Sequence, residues 1–356
     1  MNKDFRKILI IKPSSLGDIV HTLPALTALR KSFPKAVITW LVRPAFAPLI
    51  EKHPHLDQII FFERKFLGTA WYNPIALWSL VELIARLRRE KFDLVIDLQG
   101  LLRTALLAWL TGSKKRFGMS NAREFAPLFY SNRIPQTPDT VHVVNYYRSI
   151  INAAGAACGD VDFIIPISAD AKQQVNLLLH KHGMDNCPYA VLVPGSTLPE
   201  KNWPIANYAA VADMLASKFA LRFVAVGTGN EKQTVAQLSN IAKTEILNLA
   251  GQTTLKQLVA LLKNAAIVIS NDTGPGHIAA ALGISLVQIF GPTNPARVGP
   301  YGRNNCTAAL DPNDRGQKLF SPEYKIEDIT IQQVYQAAYN QLTSQSGQTH
   351  KCDLLR

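Results

Sequence analysis

Three loops of the sequence combine glycine with residues that could act on an anionic ligand. The first runs Lys12-Pro-Ser-Ser-Leu-Gly-Asp18 and joins a predicted strand to a predicted helix. Gly17 lets the backbone turn tightly and approach a ligand. Asp18 has two interpretations that its position leaves open: its carboxylate caps the helix, or it takes a proton from a substrate hydroxyl as a general base.

The second loop, Ile269-Ser-Asn-Asp-Thr-Gly-Pro-Gly-His277, also leads from a strand into a helix. Gly274 and Gly276 expose backbone N–H groups beside the hydroxyl of Thr273, and the helix dipole adds positive potential. This pattern favours a pyrophosphate site over a plain tight turn. His277 lies in the first helical turn and could donate to the same phosphates, although a single histidine is more often structural.

The third loop, Pro194-Gly-Ser-Thr-Leu-Pro-Glu-Lys-Asn-Trp-Pro204, carries a lysine just before a helix. Lys201 could neutralise phosphate charge or could be an ordinary solvated lysine, and the sequence does not choose between the two. Glu231 follows a further strand, where Rossmann-type domains often place an acidic residue on ribose hydroxyls. Neither a P-loop nor a complete G-x-G-x-x-G is present, which disfavours kinases, ATPases and ordinary dehydrogenases.

These loops need parallel strands and helices to position them, and the sequence supplies both. Short apolar runs alternate with helix-length amphipathic segments, which predicts an α/β fold with two doubly wound parallel-sheet domains, residues 1–165 and 166–326. The segment 327–356 is predicted as a helix that packs back on the first domain, followed by a polar tail. The predicted strands are Lys7–Lys12, Val37–Val42, Gln58–Phe62, Asp93–Leu98, Tyr189–Pro194, Leu221–Gly227, Ile267–Ser270 and Ser285–Gly291. The predicted helices are Asp18–Ser32, Pro74–Glu90, Leu101–Thr111, Val141–Ala154, Ala169–His182, Ile205–Lys218, Glu231–Lys243, Thr254–Lys263, Gly276–Leu282 and Glu327–Thr343.

The composition suits two buried cores and excludes several classes of protein. Of 356 residues, 47% are apolar and 18% charged, which excludes a disordered chain. The sequence contains no run of about 18 apolar residues, so it is not expected to span a membrane. Export is not expected either, because the first residues do not resemble a signal peptide. The four cysteines are scattered without a metal-like spacing, as expected for reduced thiols in a cytoplasm.

The positive charge is concentrated in the first half of the chain. The formal net charge is +12, of which residues 1–165 contribute +9. Such an excess suits an anionic membrane surface or a polyanionic substrate. Nucleic acid is not an expected partner, because the sequence lacks a helix-turn-helix, zinc-finger or RNA-recognition signature.

Several longer motifs occur in a fixed order along the chain: Lys12-Pro-Ser-Ser-Leu-Gly-Asp-Ile-Val-His-Thr-Leu-Pro-Ala-Leu26, Lys201-Asn-Trp-Pro204, Asn271-Asp-Thr-Gly-Pro-Gly-His277 and Phe290-Gly-Pro-Thr-Asn-Pro295. Together they resemble glycosyltransferase family 9, the ADP-heptose lipopolysaccharide heptosyltransferases, over nearly the whole chain. Two further strings, Asp97-Leu-Gln-Gly-Leu-Leu102 and Asn121-Ala-Arg-Glu-Phe-Ala-Pro-Leu-Phe-Tyr130, are most similar to heptosyltransferase I of that family, which adds the first heptose to the Kdo of the inner core.

The resemblance implies a GT-B architecture, with two Rossmann-like domains facing across a cleft, and an inverting reaction that uses no metal and no other cofactor. It implies that Asp18 is the general base that deprotonates the acceptor hydroxyl. The donor would be ADP-heptose, whose leaving diphosphate is stabilised by a lysine, backbone N–H groups and a helix dipole. The residues that the resemblance assigns to donor binding are Lys201, Glu231, Asp272, Thr273, Gly274 and His277.

The implied acceptor is Kdo–lipid A, and its negative charge suits the basic first domain. The predicted acceptor-binding residues are Lys12, Ser14, Ser15, Gly17, Arg64, Lys65, Gln99 and Arg123. A solvated surface charge is the alternative for each of the arginines and for Lys65. The protein is expected to be cytoplasmic and peripheral at the cytoplasmic face of the inner membrane. A type II, type III or hexose-transferring member of the family is an alternative, as is a non-catalytic nucleotide-sugar binding protein.

Overall fold

The computed structural model divides into two compact units, Met1–Pro166 and Ile167–Arg356. The structure describes residues 5–185, 187–311 and 318–346. The division lies one residue from the boundary that the sequence predicts. Each unit contains one six-stranded sheet in which all neighbouring strands are parallel.

The first unit has the strand order β3-β2-β1-β4-β5-β6. Its central strands are mostly apolar and buried, as expected for parallel strands that are covered on both faces. Its strands are β1 (Lys7–Ile11), β2 (Val37–Val42), β3 (Gln58–Phe61), β4 (Leu94–Asp97), β5 (Arg116–Met119) and β6 (Asn132–Ile134). Its helices are α1 (Leu16–Ser32), α2 (Ala47–Ile50), α3 (Arg64–Leu67), α4 (Pro74–Arg89), α5 (Leu102–Leu110) and α6 (Val143–Ala153).

Helices α4 and α5 cover one face of the first sheet. Leu9 and Ile11 of β1 share a buried cluster with Leu83 and Leu87 of α4 and with Leu107 of α5. Because side chains alternate along a strand, the remaining buried side chains of β1 point to the opposite face. The two helices therefore leave their outer sides directed away from the sheet.

The second unit repeats the same plan, with the strand order β12-β11-β10-β7-β8-β9. Its strands are β7 (Tyr189–Val193), β8 (Arg222–Ala225), β9 (Ile246–Asn248), β10 (Ile267–Asn271), β11 (Leu286–Phe290) and β12 (Thr307–Ala309). Its helices are α7 (Ala169–Lys181), α8 (Ile205–Lys218), α9 (Lys232–Ile241), α10 (Leu255–Lys263), α11 (Gly274–Ala281), α12 (Pro295–Val298) and α13 (Ile331–Ser346).

The last helix does not have the packing that the sequence predicts. The prediction places it on the first domain, but Val334, Ala338 and Leu342 of α13 are fully buried in the core of the second unit. There α13 packs on α8 and on the strands β10, β11 and β12. It also begins at Ile331 rather than at Glu327, because Ile326–Asp328 forms a separate 3-10 turn.

Each sheet reverses its strand order next to its first strand, so each has a topological switch point. In the first unit the switch lies between β1 and β4, whose ends meet at the pair Ile11 and Asp97. In the second it lies between β7 and β10, where Val193 pairs with Ser270. Ligands of open α/β sheets bind at such points, outside the carboxyl ends of the strands. All three predicted loops begin there, two in the second unit and one in the first.

Four of the strands in the described residues are not predicted from the sequence: β5, β6, β9 and β12. The eight strands that the sequence predicts are all present, with ends within two residues of the predicted positions. Across the described ranges, no helix is long and apolar enough to cross a membrane.

We expect acid to destabilise the first unit through His53, which lies just after α2 and is 2% exposed. Its Nδ1 accepts the backbone N–H of His55 at 3.1 Å. Burial, with a contribution from His55, lowers the pKa of His53 from 6.5 to about 4. Between these two values the unfolded chain binds more protons than the folded one, so stability is full above pH 6.5 and decreases toward pH 4. At pH 5 the loss is about 2 kcal/mol.

The variant His53→Asn tests this expectation, because an asparagine oxygen can still accept from His55 but does not titrate. Urea denaturation at pH 7 and pH 5 should show a smaller loss of stability for this variant than for the wild type. His182→Asn, at an exposed position, is the matched control and should keep the wild-type pH dependence. An unchanged pH dependence in His53→Asn would contradict the assignment.

Candidate active site

In the loop after β1, the two carboxylate oxygens of Asp18 have different partners. Oδ2 accepts the backbone N–H and the hydroxyl of Ser15, both at 2.9 Å, which caps the start of α1. Oδ1 lies 3.7 Å from Nζ of Lys12, and the side chain is 33% exposed. Capping therefore occupies one carboxylate oxygen, while the other lies near Lys12 in a side chain that is partly exposed. The capping and the base interpretations of Asp18 are compatible in this geometry.

Lys12 is a buried cation at the base of this loop, 3% exposed. Its Nζ donates to the carbonyl of Leu98 at 3.0 Å and lies 5.3 Å from the ring centre of Tyr147. Burial alone would lower the pKa of Lys12, but Asp18 and Tyr147 outweigh it and raise that pKa. Burial likewise raises the pKa of Tyr147 to about 12. Lys12 thus places a permanent positive charge beside Asp18.

The turn after β4 completes the site of the first unit. Oε1 of Gln99 accepts the backbone N–H of Ser14 at 3.3 Å, so the structure brings these two predicted residues together. Asp97 shapes this turn, because its Oδ1 accepts the N–H groups of Gln99 at 2.8 Å and Gly100 at 3.3 Å. Gly100 has φ +69°, a conformation that favours glycine.

Asp97 also accepts the hydroxyl of Tyr130 through Oδ2, at 2.7 Å. Burial raises the pKa of Asp97, while its hydrogen bonds act in the opposite direction. Both residues lie in motifs that the sequence analysis quotes, but neither is among the predicted site residues. The only signal in the sequence is a carboxylate at the end of an apolar strand.

Arg64, Lys65 and Arg123 lie at the surface of the first unit. The first two are on the short helix α3. The backbone N–H of Arg123 donates to the carbonyl of Gly100 at 3.1 Å, which places it beside the Gln99 turn. Burial, and then the charge of Arg64, lower the pKa of Arg103. Both arginines are exposed.

The second unit contains a buried cluster of one carboxylate and two basic groups. Nζ of Lys201 donates to Oδ2 of Asp272 at 2.6 Å, and Nε2 of His277 lies 3.1 Å from Oδ1. Burial alone would raise the pKa of Asp272, but the hydrogen bond from His277 and the charge of Lys201 lower it well below its usual range. An ionised carboxylate can only accept, so Nε2 of His277 carries the proton in this contact.

Asn271 fixes the loop that carries Lys201. Its Nδ2 donates to the carbonyl of Pro194 at 2.7 Å, and its Oδ1 accepts the backbone N–H of Trp203 at 3.2 Å and the hydroxyl of Tyr208 at 2.9 Å. These contacts are buried, where hydrogen bonds are costly to break. Asn271 thereby holds both ends of the loop against β10. It is absent from the predicted site residues, although an asparagine at the end of an apolar strand is a detectable signal.

The N-terminus of α11 presents the predicted phosphate turn. Thr273 is the N-cap, and its Oγ1 lies 3.2 Å from Oγ of Ser270. Gly274 is half-buried and begins the helix. A Cβ on Gly276 would lie 2.9 Å from both Nε2 of Gln288 and Oγ of Ser270, so any larger residue would force these buried side chains to move. The first-turn N–H groups of a helix have no partner within the helix, which makes this end suitable for an anion.

Glu231 lies in the turn after β8, close to the start of the loop that carries Lys201. Its Oε2 accepts the backbone N–H of Thr228 at 2.5 Å, and its side chain contacts Gly195 and Gly227. The structure thus places all six predicted donor-binding residues around the switch point of the second sheet. Five of them lie in the loop after β7 or between the end of β10 and the first turn of α11, and Glu231 contacts the start of the loop after β7.

Comparison with known proteins identifies the family. The sequence model of glycosyltransferase family 9 (heptosyltransferase) matches residues 80–321, well over half of the chain. The chain belongs to glycosyltransferase family 9. The match spans both units and includes Gln99, Lys201 and the Asp272 cluster, so this family 9 protein is a glycosyltransferase.

Relatives and solved structures agree with the family 9 assignment. The chain is 29% identical to lipopolysaccharide heptosyltransferase 1 of Pseudomonas aeruginosa, over 88% of this chain and 90% of that protein. A crystal structure of a family 9 glycosyltransferase from Veillonella parvula has a TM-score of 0.80 at 25% identity, covering 97% of this chain and 99% of the other. The E. coli heptosyltransferase WaaC with ADP-2-deoxy-2-fluoro heptose has a TM-score of 0.72 at 26% identity, covering 94% and 99%.

The comparison confirms the predicted fold class. Two six-stranded parallel sheets with flanking helices are the GT-B architecture of these family 9 structures. Among residues 5–185, 187–311 and 318–346, no group of three or more His, Cys, Asp or Glu side chains is placed to hold a metal ion.

Proposed function

We propose that this family 9 enzyme is a heptosyltransferase I, which transfers L-glycero-D-manno-heptose from ADP-heptose to the Kdo of the lipopolysaccharide inner core, with inversion and without a metal. The observation that carries the proposal is the cluster of Lys201, Asp272 and His277 beside the N-terminus of α11. Positive groups and a helix dipole at one point suit a diphosphate leaving group.

The second unit is the proposed binding site of ADP-heptose. A lysine ammonium has three N–H donors, so Lys201 can bind Asp272 and still donate to a phosphate oxygen. Asp272 itself would repel a diphosphate, and we assign it the role of orienting Lys201 and His277. Thr273 and Gly274 would donate to the diphosphate from the helix end. Glu231 would accept from a ribose hydroxyl of the nucleoside.

The first unit supplies the proposed base. The acceptor hydroxyl oxygen bonds to the anomeric carbon of the heptose, the bond from that carbon to the diphosphate oxygen breaks, and the electron pair leaves with ADP. Asp18 takes the hydroxyl proton, through the carboxylate oxygen that does not cap α1. Lys12 keeps a positive charge 3.7 Å from that oxygen. General base catalysis contributes about 10² to 10⁴-fold to such a rate.

The acceptor in this proposal is Kdo–lipid A, bound by exposed basic residues of the first unit. Arg64, Lys65 and Arg123 would contact its carboxylate and phosphates, while Ser14 and Gln99 already meet near the base. Ser15 and Gly17 would shape the same loop. We further propose that the enzyme works at the cytoplasmic face of the inner membrane, as a peripheral protein on an anionic lipid surface, and that nucleic acid is not a partner.

A transfer assay with two acceptors tests the proposed function. Purified enzyme receives ADP-heptose with either heptose-free Kdo–lipid A or the same acceptor already carrying one heptose. We expect ADP release and addition of a single heptose with the first acceptor only. Transfer to the second acceptor alone would assign the type II activity instead. ADP-heptose binding without transfer to either would contradict heptosyltransferase activity and favour a nucleotide-sugar binding protein.

A further inference from the structure

The outer side of the first unit exposes an unusual number of large apolar side chains. Of the eighteen large hydrophobic side chains that are exposed in the described ranges, thirteen lie between Phe61 and Leu128. Trp71 is 85% exposed and Trp78 72%. Monomeric proteins rarely expose contiguous apolar patches of this kind, and those that do usually bind another surface.

These side chains belong to elements that adjoin one another. Helix α3 packs on α4, α4 on α5, and α5 on the 3-10 turn Ala126–Phe129. The inner sides of α4 and α5 are already used, because they pack on β1. The exposed apolar residues on these elements therefore face away from the sheet and are not needed to cover it. We call six of them the aromatic surface: Trp71, Tyr72, Ile75, Trp78, Trp109 and Phe125.

Helix α4 shows the pattern most clearly. Ile75, Trp78 and Val81 are exposed and spaced by three residues, so they share one side of the helix. Ala76 and Leu83 are buried on the other side. Just before the helix, the rings of Trp71 and Tyr72 contact each other edge to face, with centres 4.6 Å apart. The first half of α4 is thus apolar on its outer as well as its inner side.

Exposed basic residues lie on the same helices, α3, α4 and α5, as the exposed apolar side chains, and we call them the basic border: Arg64, Lys65, Arg86, Arg88, Arg89 and Arg103. Residues 61–134 hold twelve Lys or Arg against six Asp or Glu. Arg86, Arg88 and Arg89 end α4 and are exposed. Burial, and then the charge of Arg64, lower the pKa of Arg103. Exposed tryptophan and tyrosine within a basic border match the interface of an anionic bilayer, where aromatic rings lie at headgroup depth and lysine or arginine meets phosphate.

We propose that the aromatic surface inserts into the headgroup region of an anionic phospholipid bilayer, and that the basic border binds the lipid phosphates. A second copy of the chain fits less well, because self-association through this surface would bring two strongly positive borders together. The proposal rests on the proposed function only for its biological setting, a lipid-linked acceptor. It adds to a purely electrostatic attachment an apolar anchor that high salt does not remove.

Vesicle binding tests the proposal directly. The full chain is sedimented with vesicles of phosphatidylethanolamine and phosphatidylglycerol, at low and high salt, and compared with Trp71→Ser/Trp78→Ser. We expect the wild type to keep part of its binding at high salt and the double variant to bind at least about tenfold more weakly. Leu177→Ser, an exposed apolar position in the second unit, is the matched control and should bind as the wild type does.

Tryptophan fluorescence gives a second readout. Trp40 and Trp203 are fully buried, so a blue shift on adding vesicles reports the exposed tryptophans. The shift should occur in the wild type and be much smaller in the double variant. Equal vesicle binding by the two proteins, or no binding by the wild type, would overturn the proposal. A wild-type dimer that the double variant dissociates, without vesicle binding, would show a self-association surface instead.

A failure of this proposal is distinguishable from a failure of the proposed function. Transfer to an acceptor freed of its acyl chains needs no bilayer, so the double variant should keep its wild-type rate in that assay. Vesicle binding, in turn, needs no turnover. Loss of transfer by the double variant on this acyl-free acceptor would place Trp71 and Trp78 in substrate binding and overturn the membrane role.

Discussion

Replacement of Asp18 by Asn should lower kcat by about 10² to 10⁴-fold and leave the Kd for ADP nearly unchanged. An asparagine oxygen can still accept the Ser15 hydrogen bonds that cap α1, so the loop should keep its shape. What the variant loses is a group able to take the acceptor proton. Steady-state release of ADP measures kcat, and isothermal titration calorimetry measures ADP binding.

Asp170→Asn is the matched control for this prediction. Asp170 also lies in the first turn of a helix, α7, but far along the chain from any switch-point loop. It should leave kcat and ADP binding unchanged. Near wild-type turnover of Asp18→Asn would show that Asp18 is only a helix cap. Loss of ADP binding with residual turnover would contradict the assignment of the base to the first unit.

Replacement of Lys201 by Met should raise the Kd for ADP by about 10 to 100-fold. A hydrogen bond from a charged donor contributes about 1.5–3 kcal/mol, and each 1.4 kcal/mol is tenfold in affinity. The variant should also unfold more easily, because it leaves the carboxylate of Asp272, which is 4% exposed, without its lysine. Breaking a buried pair by removing one partner costs about 3–5 kcal/mol.

A double variant separates the two effects of Lys201. Lys201→Met/Asp272→Asn removes both charges, so most of the lost stability should return, while ADP affinity should stay below that of the wild type even though the repulsion from Asp272 is also gone. Urea denaturation and calorimetry with ADP measure the two quantities. Lys172→Met, on the exposed side of α7, is the control and should change neither. Full wild-type ADP affinity in the double variant would show that Lys201 only neutralises Asp272 and does not bind phosphate.

The central parts of both sheets could be predicted from the sequence, whereas their edges could not. Strands such as β1 and β10 lie inside parallel sheets and contain continuous apolar runs, Ile8–Ile11 and Ile267–Ile269, which separates them from the amphipathic helices. The strands that escaped prediction are three or four residues long and contain polar residues, as in Asn132–Ile134 and Thr307–Ala309. Their pairing depends on neighbouring strands, and this information is not local.

The position of α13 shows a second limit of the sequence. Its apolar residues Val334, Ala338 and Leu342 repeat every four positions, which predicts a helix with one buried side. The period does not say which surface covers that side. The prediction chose the first domain, and the packing on α8 shows that this choice was wrong.

The residues of the candidate site are easier to predict from the sequence than the residues that hold its loops in place. Glycine-rich loops between strands and helices are local signals, and the strand order then places them at the switch points. Asn271, Asp97 and Tyr130 act through hydrogen bonds to residues more than thirty positions away. The sequence likewise leaves both interpretations of Asp18 open, because the separate partners of its two oxygens, Ser15 and Lys12, depend on the folded loop.

Both sheets have the strand order of a nucleotide-binding domain, so the central question is which of them binds the nucleotide. A crystal structure of the chain with ADP answers this directly. We predict the diphosphate at the N-terminus of α11, within hydrogen-bond distance of Nζ of Lys201 and of the backbone N–H of Gly274. A diphosphate bound instead in the loop between Lys12 and Asp18 would contradict the assignment of donor and base.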